Sequence, residues 1–431
     1  MNKTETVTIY PAKNITGGVS LPGDKSISHR YAMLAGIAEG TTKLKNFSSA
    51  ADCASTLSCM EALGCAVRRT GGEVEIDGAA RKLRAPAAVL DCGNSGSTMR
   101  MLSGMVAAQE FASELTGDDS LRKRPMKRIM DPLRQMGAEI EAKGEGDRPP
   151  LRITGRKLKG MTYKMPLASA QVKSCVLFAG LFAEGETTVE ETVATRDHTE
   201  QALRAFGVTV KREKGRATVA GGQRLKSIEA YVPGDISSAT FFLCAAGIFA
   251  GSNVVFDSVL LNPTRAALLD VMTQMGMKLN FLKVEEQFGE LIGTVQAQAA
   301  GLKGATIKGG LTAALIDELP ALAAIAPYTR EGIEIRDAKE LRVKESDRIA
   351  AVAENLRRMG ATVEEFEDGL RVPGGQKLHG AEIETYGDHR IAMAFSVAAL
   401  RAEGETKIVG SEAVAVSYPE FFETLERMVE R

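Results

Sequence analysis

An alternation of two helical patterns, repeated along the whole chain, constrains its fold more than any other feature. The first pattern is a polar helix start, an almost wholly apolar helix rich in Ala and Gly, then Gly and a short strand. It reads SISHRYAMLAGIAEGTTKL from Ser26, SGSTMRMLSGMVAA from Ser95 and ASAQVKSCVLFAGLFAEGETTV from Ala168. It continues as ISSATFFLCAAGIFAGSNVV from Ile236, DELPALAAIAPYTREGIEI from Asp317 and DHRIAMAFSVAALRAEGETKI from Asp388, which makes six copies. Between them runs an amphipathic helix that ends on a hydrophobe, a glycine and another strand: ALGCAV, QMGAEI, AFGVTV, QMGMKL and RMGATV, with YPEFFETLERMVER closing the chain. In the stretch after Ser346, Ile349, Val352, Ala353, Leu356 and Met359 follow helical spacing, and the glycine after each such helix is suited to a left-handed C-cap. The apolar helices are expected to be buried on every side, and the amphipathic ones to lie half-exposed against sheets.

Six units in 431 residues give a period of about 72, too long for the common solenoids and suited to a layered α/β unit. The best-matched copies, LPGDKSISHR from Leu21 and VPGDISSATF from Val232, divide the chain into two halves of three units. Length alone points to two or three domains. A formal net charge of −1 gives no global pull toward nucleic acid or membrane, so any anion binding must be local. Without tryptophan, and with 5% aromatic residues, there is little material for stacking single-stranded bases. The N-terminal MNKTETVTIYPAKN has no apolar run behind a basic stub, so a cytoplasmic protein is expected. The charge-free stretch between Asp235 and Asp257 is interrupted by Ser and Thr and is expected to be a core helix. The six cysteines form no CxxC pair and the four histidines have no ligand spacing, so buried thiols, no metal and no cofactor are expected.

Polar residues too specific for a plain surface gather at the helix starts. Before the apolar helices lie Asp24-Lys25-Ser26 with Arg30, Asn94-Ser95-Gly96-Ser97, Ser169 with Gln171, Asp317-Glu318 and Asp388-His389-Arg390. Before the amphipathic ones lie Arg122-Lys123-Arg124-Pro125, Arg196-Asp197-His198, Asn262 with Arg265, and Lys344 to Arg348. Free N–H groups and the macrodipole make helix N-termini natural anion sites. Cations placed there work against helix stability, so their repetition points to bound anions. Simpler roles compete: Ser26, Asp197 and Asp317 as N-caps, Asp197 with Glu200 as a capping box, KRPMKR as a solvated basic face. Gly18 to Lys25 misses the P-loop pattern because Asp24 splits the Gly-Lys pair. Asp317 and Glu345 can move protons, and no serine or cysteine has a His–carboxylate partner set for covalent catalysis.

The motifs PGDKSISHR, GNSGSTMR, KRPM, SAQVKS, RDHTE, GDISSA, NPTR, IDELP, KESDRI, GDHRIAMAF and SYPEFF occur in the order found in the 3-phosphoshikimate 1-carboxyvinyltransferases (EPSP synthases). The resemblance covers essentially the whole chain, and SAQVKS and RDHTE resemble the class II branch. It implies the enolpyruvyl transferase fold: a two-domain inside-out α/β barrel, each domain three repeats of a βαβαββ-like unit. The domains are expected at 24–236 and at 1–23 plus 237–431, with the active site in the cleft between. It also implies transfer of the enolpyruvyl group of phosphoenolpyruvate to the 5-hydroxyl of shikimate 3-phosphate, by addition and then loss of phosphate. By resemblance, Lys25, Ser26, Arg30, Ser169, Gln171, Arg196, Asp317 and Lys344 bind shikimate 3-phosphate. Lys25, Gly96, Arg124, Gln171, Arg348 and Arg390 hold phosphoenolpyruvate; Asp317, Glu345 and Lys25 are catalytic. A monomer that glyphosate inhibits is expected. Val416 stands where many members carry a phosphoenolpyruvate-binding lysine, which implies weaker glyphosate inhibition, whereas the retained Gly96 argues for the inhibitor. Two other functions are weighed against this one. The sibling transferase acting on UDP-N-acetylglucosamine has a cysteine in the loop that here reads GDDSLRKRP, and a non-catalytic repeat scaffold would have neutral helix starts.

Overall fold

The two sequence patterns become two kinds of helix. The computed structural model describes residues 4–431, and their contacts gather into two compact units. One, here the Lys25 unit, holds Gly23–Val232 with Glu286–Glu290; the other, the Asp317 unit, holds the N-terminal segment through Pro22, Pro233–Glu285 and Leu291–Arg431.

In the Lys25 unit, apolar helices α1 (Lys25–Ile37), α3 (Gly96–Val106) and α5 (Ala170–Gly180) alternate with amphipathic α2 (Ala51–Ala62), α4 (Lys127–Gln135) and α6 (His198–Ala205). The Asp317 unit repeats the scheme. Apolar α7 (Ile236–Ile248), α10 (Leu319–Ile325) and α12 (His389–Ala399) alternate with α8 (Ala267–Gln274), α11 (Arg348–Arg358) and α13 (Phe421–Met428). A short extra helix, α9 (Gly310–Ala314), precedes α10.

The apolar helices pack on one another: α3 touches α1 and α5, and α7, α10 and α12 touch mutually. Every residue of α7 is buried, so the charge-free stretch is a core helix followed by the strand Asn253–Leu260. Among the described residues no helix is long and apolar enough to cross a membrane. Small residues set the close approach of these helices. A Cβ at Gly104 of α3 would lie 2.1 Å from the Cys175 carbonyl oxygen of α5. All six cysteines are buried and free.

After the amphipathic helices, Gly64, Gly137, Gly207, Gly276 and Gly360 have φ between 84° and 105°, the left-handed conformation expected of the C-cap glycines. The helical stripe read after Ser346 also holds, with Ile349, Val352, Ala353, Leu356 and Met359 all buried.

Among the described residues each unit carries three sheets, one for each repeat. In the Lys25 unit the central strand Thr41–Lys45 lies between parallel Glu229–Tyr231 and antiparallel Glu73–Asp77, with Ala66–Thr70 at the far edge. The same order recurs around Ala112–Thr116, Glu186–Glu190 and Gly332–Ile335, and around Asn253–Leu260 with Val429–Glu430 added beyond the parallel strand. The sixth sheet differs: Thr406–Val409 pairs in parallel with Glu382–Glu384, and its antiparallel neighbour is Thr6–Ile9 from the start of the chain. This is the repeat-built α/β architecture read from the sequence; the sheets stay separate, and none closes on itself.

Candidate active site

In the Lys25 unit, side chains cap the helix starts and so fix where neighbouring ligand groups point. Asp24 accepts from Ile27 N at α1, Ser95 from Thr98 N at α3, and Ser169 from Val172 N at α5. Ser26 therefore lies inside α1 and leaves the cap to Asp24. Asp197 occupies the cap position of α6 but takes no backbone N–H with its side chain; Oδ2 accepts from Arg212 at 2.8 Å and Gln201 at 3.2 Å. The capping box read from Asp197 and Glu200 does not form, because Glu200 is paired with Lys173 at 2.8 Å.

Lys25 Nζ donates to Asp52 Oδ2 at 2.9 Å. Arg30, buried under α1, donates from Nε to Thr199 Oγ1, from Nη1 to the Ser26 carbonyl and from Nη2 to Ser174 Oγ, each at 2.8 Å. Burial lowers the Arg30 guanidinium to about 10, with the carboxylates of Asp24 and Glu200 opposing the shift. It stays charged at neutral pH.

The basic run KRPMKR splits. Lys123 and Lys127 are exposed, as a solvated face would be, Arg128 is half-buried, and Arg124 is only 8% exposed. It donates to Asn94 Oδ1 at 2.9 Å and Ser120 Oγ at 3.1 Å. Gly96 lies against this guanidinium and that of Arg100, its Cβ position being 3.4 Å from Arg124 Nη1 and 3.0 Å from Arg100 Nη1. Arg100 in turn donates to Gln171 Oε1 at 2.6 Å, and Gln171 Nε2 donates to Ser97 Oγ at 2.8 Å. Gly96, Ser97, Arg100, Arg124 and Gln171 thus form one cluster. Arg100, inside GNSGSTMR, is a site residue that the sequence motifs alone do not assign. Its place four residues after Gly96, on the same helix face, was the available signal.

In the Asp317 unit the polar residues converge on Arg348. Its side chain is 1% exposed and meets three carboxylates: Asp388 Oδ2 at 2.8 Å from Nε, Glu345 Oε2 at 2.6 Å from Nη2, and Asp317 Oδ1 at 3.9 Å from Nη1. Burial alone would lower this guanidinium; the charges of Asp388, Glu345 and Asp317 override it and hold it well above the usual arginine value. Burial would likewise raise Asp388, but Arg348 outweighs it and the carboxyl is held below its ordinary range. Asp388 caps α12 through Arg390 N at 2.9 Å and accepts from Ser346 Oγ at 2.9 Å. Arg390 donates from Nη1 to the Asp317 carbonyl at 2.6 Å. Asp317 is not a cap, since that position belongs to Glu318. Glu318 and Arg265 are both buried and lie 3.5 Å apart, with Ser237 Oγ accepting from Arg265 at 2.6 Å. Desolvation lowers the Lys344 ammonium, with Asp317 the main opposing charge. Val416 ends a short 3-10 turn, Ser411–Val416, and is half-buried.

The family model for EPSP synthase (3-phosphoshikimate 1-carboxyvinyltransferase) matches residues 9–425. The chain belongs to this family. It is 65% identical to the 3-phosphoshikimate 1-carboxyvinyltransferase of Koribacter versatilis over 99% of its own length and 100% of that protein. It is 57% identical to the one from Solibacter usitatus, covering 98% of this chain and 99% of the relative. An EPSP synthase structure from Acinetobacter baumannii superposes with a TM-score of 0.88 at 44% identity, over 99% of this chain and 98% of that one. The family read from the motif order is therefore the right one, and the repeat-built fold is that of its solved members.

Proposed function

We propose that the chain transfers the enolpyruvyl group of phosphoenolpyruvate to the 5-hydroxyl of shikimate 3-phosphate, releasing phosphate. The observation that carries this reading is the Arg348 cluster. One buried guanidinium gathers Asp317, Glu345 and Asp388, so two partly exposed carboxylates are held beside a fixed positive charge. Addition to an enol phosphate needs a proton removed from the attacking hydroxyl and a proton delivered to the methylene carbon. Asp317 is assigned the first task and Glu345 the second, with Lys25 assisting. Loss of phosphate from the tetrahedral adduct then returns a methyl proton to the carboxylate that delivered it, re-forming the double bond. It also needs charge stabilisation of the leaving oxygen, a task suited to lysine and arginine.

Lys25, Ser26, Arg30, Ser169, Gln171, Arg196, Asp317 and Lys344 are assigned to shikimate 3-phosphate. Lys25, Gly96, Arg124, Gln171, Arg348 and Arg390 are assigned to phosphoenolpyruvate, and the Arg100 beside Gly96 joins that set. Each unit is read as a domain of three repeats. Steady-state phosphate release with the two substrates tests the reading. The wild-type chain is expected to release phosphate only when both are present. Asp317→Ala should lower kcat by about 10²- to 10⁴-fold, the range for loss of a general base. Release with UDP-N-acetylglucosamine instead of shikimate 3-phosphate would move the function to the sibling transferase. Val416 supplies no cation to an anionic inhibitor, so glyphosate is expected to inhibit weakly, and Val416→Lys to lower its inhibition constant. An unchanged constant would remove Val416 from that account.

A further inference from the structure

The functional assignment leaves unused a lysine that is almost completely buried. Lys173 lies on α5, two residues after Gln171, so at 100° per residue the two side chains project from nearly opposite faces of the helix. Gln171 belongs to the Ser97 and Arg100 cluster. Lys173 faces the other way, its side chain 1% exposed, with Nζ 3.0 Å from Glu191 Oε2 and 2.8 Å from Glu200 Oε1.

These two carboxylates bracket the segment 191–197, which joins the strand Glu186–Glu190 to α6 and has no regular structure of its own. Glu191 opens the segment and Glu200 lies in the first turn of α6. Glu191 also closes the loop on itself: Oε1 accepts from Thr195 N at 3.1 Å and from the Thr195 hydroxyl. The neighbouring Ser174 repeats the attachment, its Oγ lying 2.5 Å from Thr199 Oγ1 and accepting from Arg30 Nη2. One turn of α5 therefore anchors both flanks of a loop whose only half-buried cation is Arg196.

We infer that Lys173 is a positioning residue for acceptor binding: through Glu191 and Thr195 on one flank and Glu200 on the other, it fixes Arg196 relative to Ser169 and Gln171. The inference rests on the assignment of Arg196 to shikimate 3-phosphate. Loops held by few contacts sample many conformations, and a long cation that must meet an anion loses affinity when its backbone is unfixed. Lysine suits the post because one ammonium can donate to two carboxylates, and burying such a pair without its cation is strongly unfavourable.

The test compares Lys173→Met, Thr195→Val and the double variant with wild type, measuring KM for each substrate, kcat and thermal midpoint. Arg196→Ala serves as the ligand control. Thr195→Val leaves the buried lysine in place and removes only the hydroxyl arm of the clamp, so it reports even where Lys173→Met folds poorly. KM for shikimate 3-phosphate is expected to rise about tenfold in Lys173→Met, the size of one misplaced charge-assisted contact. A smaller rise is expected in Thr195→Val, with KM for phosphoenolpyruvate and kcat close to wild type. The double variant should show less than the product of the two single effects, because both act through Glu191. If Arg196→Ala raises the acceptor KM but Thr195→Val does not, or if Lys173→Met weakens both substrates equally, the positioning role is overturned. If Arg196→Ala leaves that KM unchanged, the inference falls together with the assignment of Arg196.

Discussion

The two units start from nearly the same peptide and use it differently. Asp24 and Asp235 both cap an apolar helix, the first through Ile27 N and the second through Ser237 N. Yet Lys25 in one is matched by Ile236 in the other, and Arg30 by Phe241. The arginines show the same divergence. In the Lys25 unit Arg124 donates to Asn94 and Ser120, Arg100 to Gln171, and Arg30 to Thr199, Ser174 and a backbone carbonyl. These hydrogen-bond acceptors are neutral, and they orient the guanidinium groups. In the Asp317 unit Arg348 meets three carboxylates. One arrangement suits the holding of phosphate and carboxylate groups; the other suits proton transfer, where carboxylates must stay ionised and fixed.

That contrast predicts different consequences of removing an arginine. Arg348→Met leaves Asp388 buried with its charge unbalanced, and should destabilise the fold by about 3–5 kcal/mol in a denaturant titration. A loss under about 1 kcal/mol would mean that the carboxylates take up protons at little cost and the contrast is overstated. Arg124→Ala leaves the Asn94 amide and the Ser120 hydroxyl behind, both neutral. It should raise KM for phosphoenolpyruvate by about 10- to 100-fold, the equivalent of one charged hydrogen-bonded contact, while the unfolding midpoint hardly moves.

The smallest effect concerns His29, buried in α1 with Nδ1 2.7 Å from Thr56 Oγ1. Burial, with help from Lys25 and Arg30, holds its imidazole well below 6.5, so the folded protein keeps it neutral. The unfolded chain takes up the proton below 6.5 and the folded chain does not. Stability is therefore fully present above that pH and falls as pH drops, by about 1.4 kcal/mol per pH unit. His29→Gln should flatten that slope in the Lys25 unit; an unchanged slope would assign it to other groups.

Much of this was legible in the sequence because repetition carries information that single motifs lack. The alternation of helices, their burial and the five C-cap glycines follow from periodicity and composition. The side-chain partners were less legible. A run such as KRPMKR does not reveal that Arg124 is its buried cation, since that depends on the 3-10 turn Leu121–Lys123 and on Asn94, thirty residues earlier in the chain. Asp317 and Asp197 look like caps by type, but Glu318 takes the cap position in the first case, and in the second Asp197 holds the position while its side chain turns to Arg212. Lys173 sits inside SAQVKS, yet its role is not legible there, because its partners Glu191 and Glu200 become neighbours only after α5 and α6 have packed.

The pairing of Thr6–Ile9 with Thr406–Val409 has a consequence for how the molecule is made. A ribosome releases the first of these strands long before the second. At roughly 5–20 residues per second the wait is about 20–80 s, ample time for an unpaired strand edge to find a wrong neighbour. The Lys25 unit is drawn almost wholly from one continuous stretch, Gly23–Val232, and can begin to assemble during that interval. The Asp317 unit has its opening strands synthesised first and its last sheet completed only when translation is nearly over. Vectorial synthesis thus imposes an order on the two halves that refolding from denaturant, where all residues are available at once, does not share.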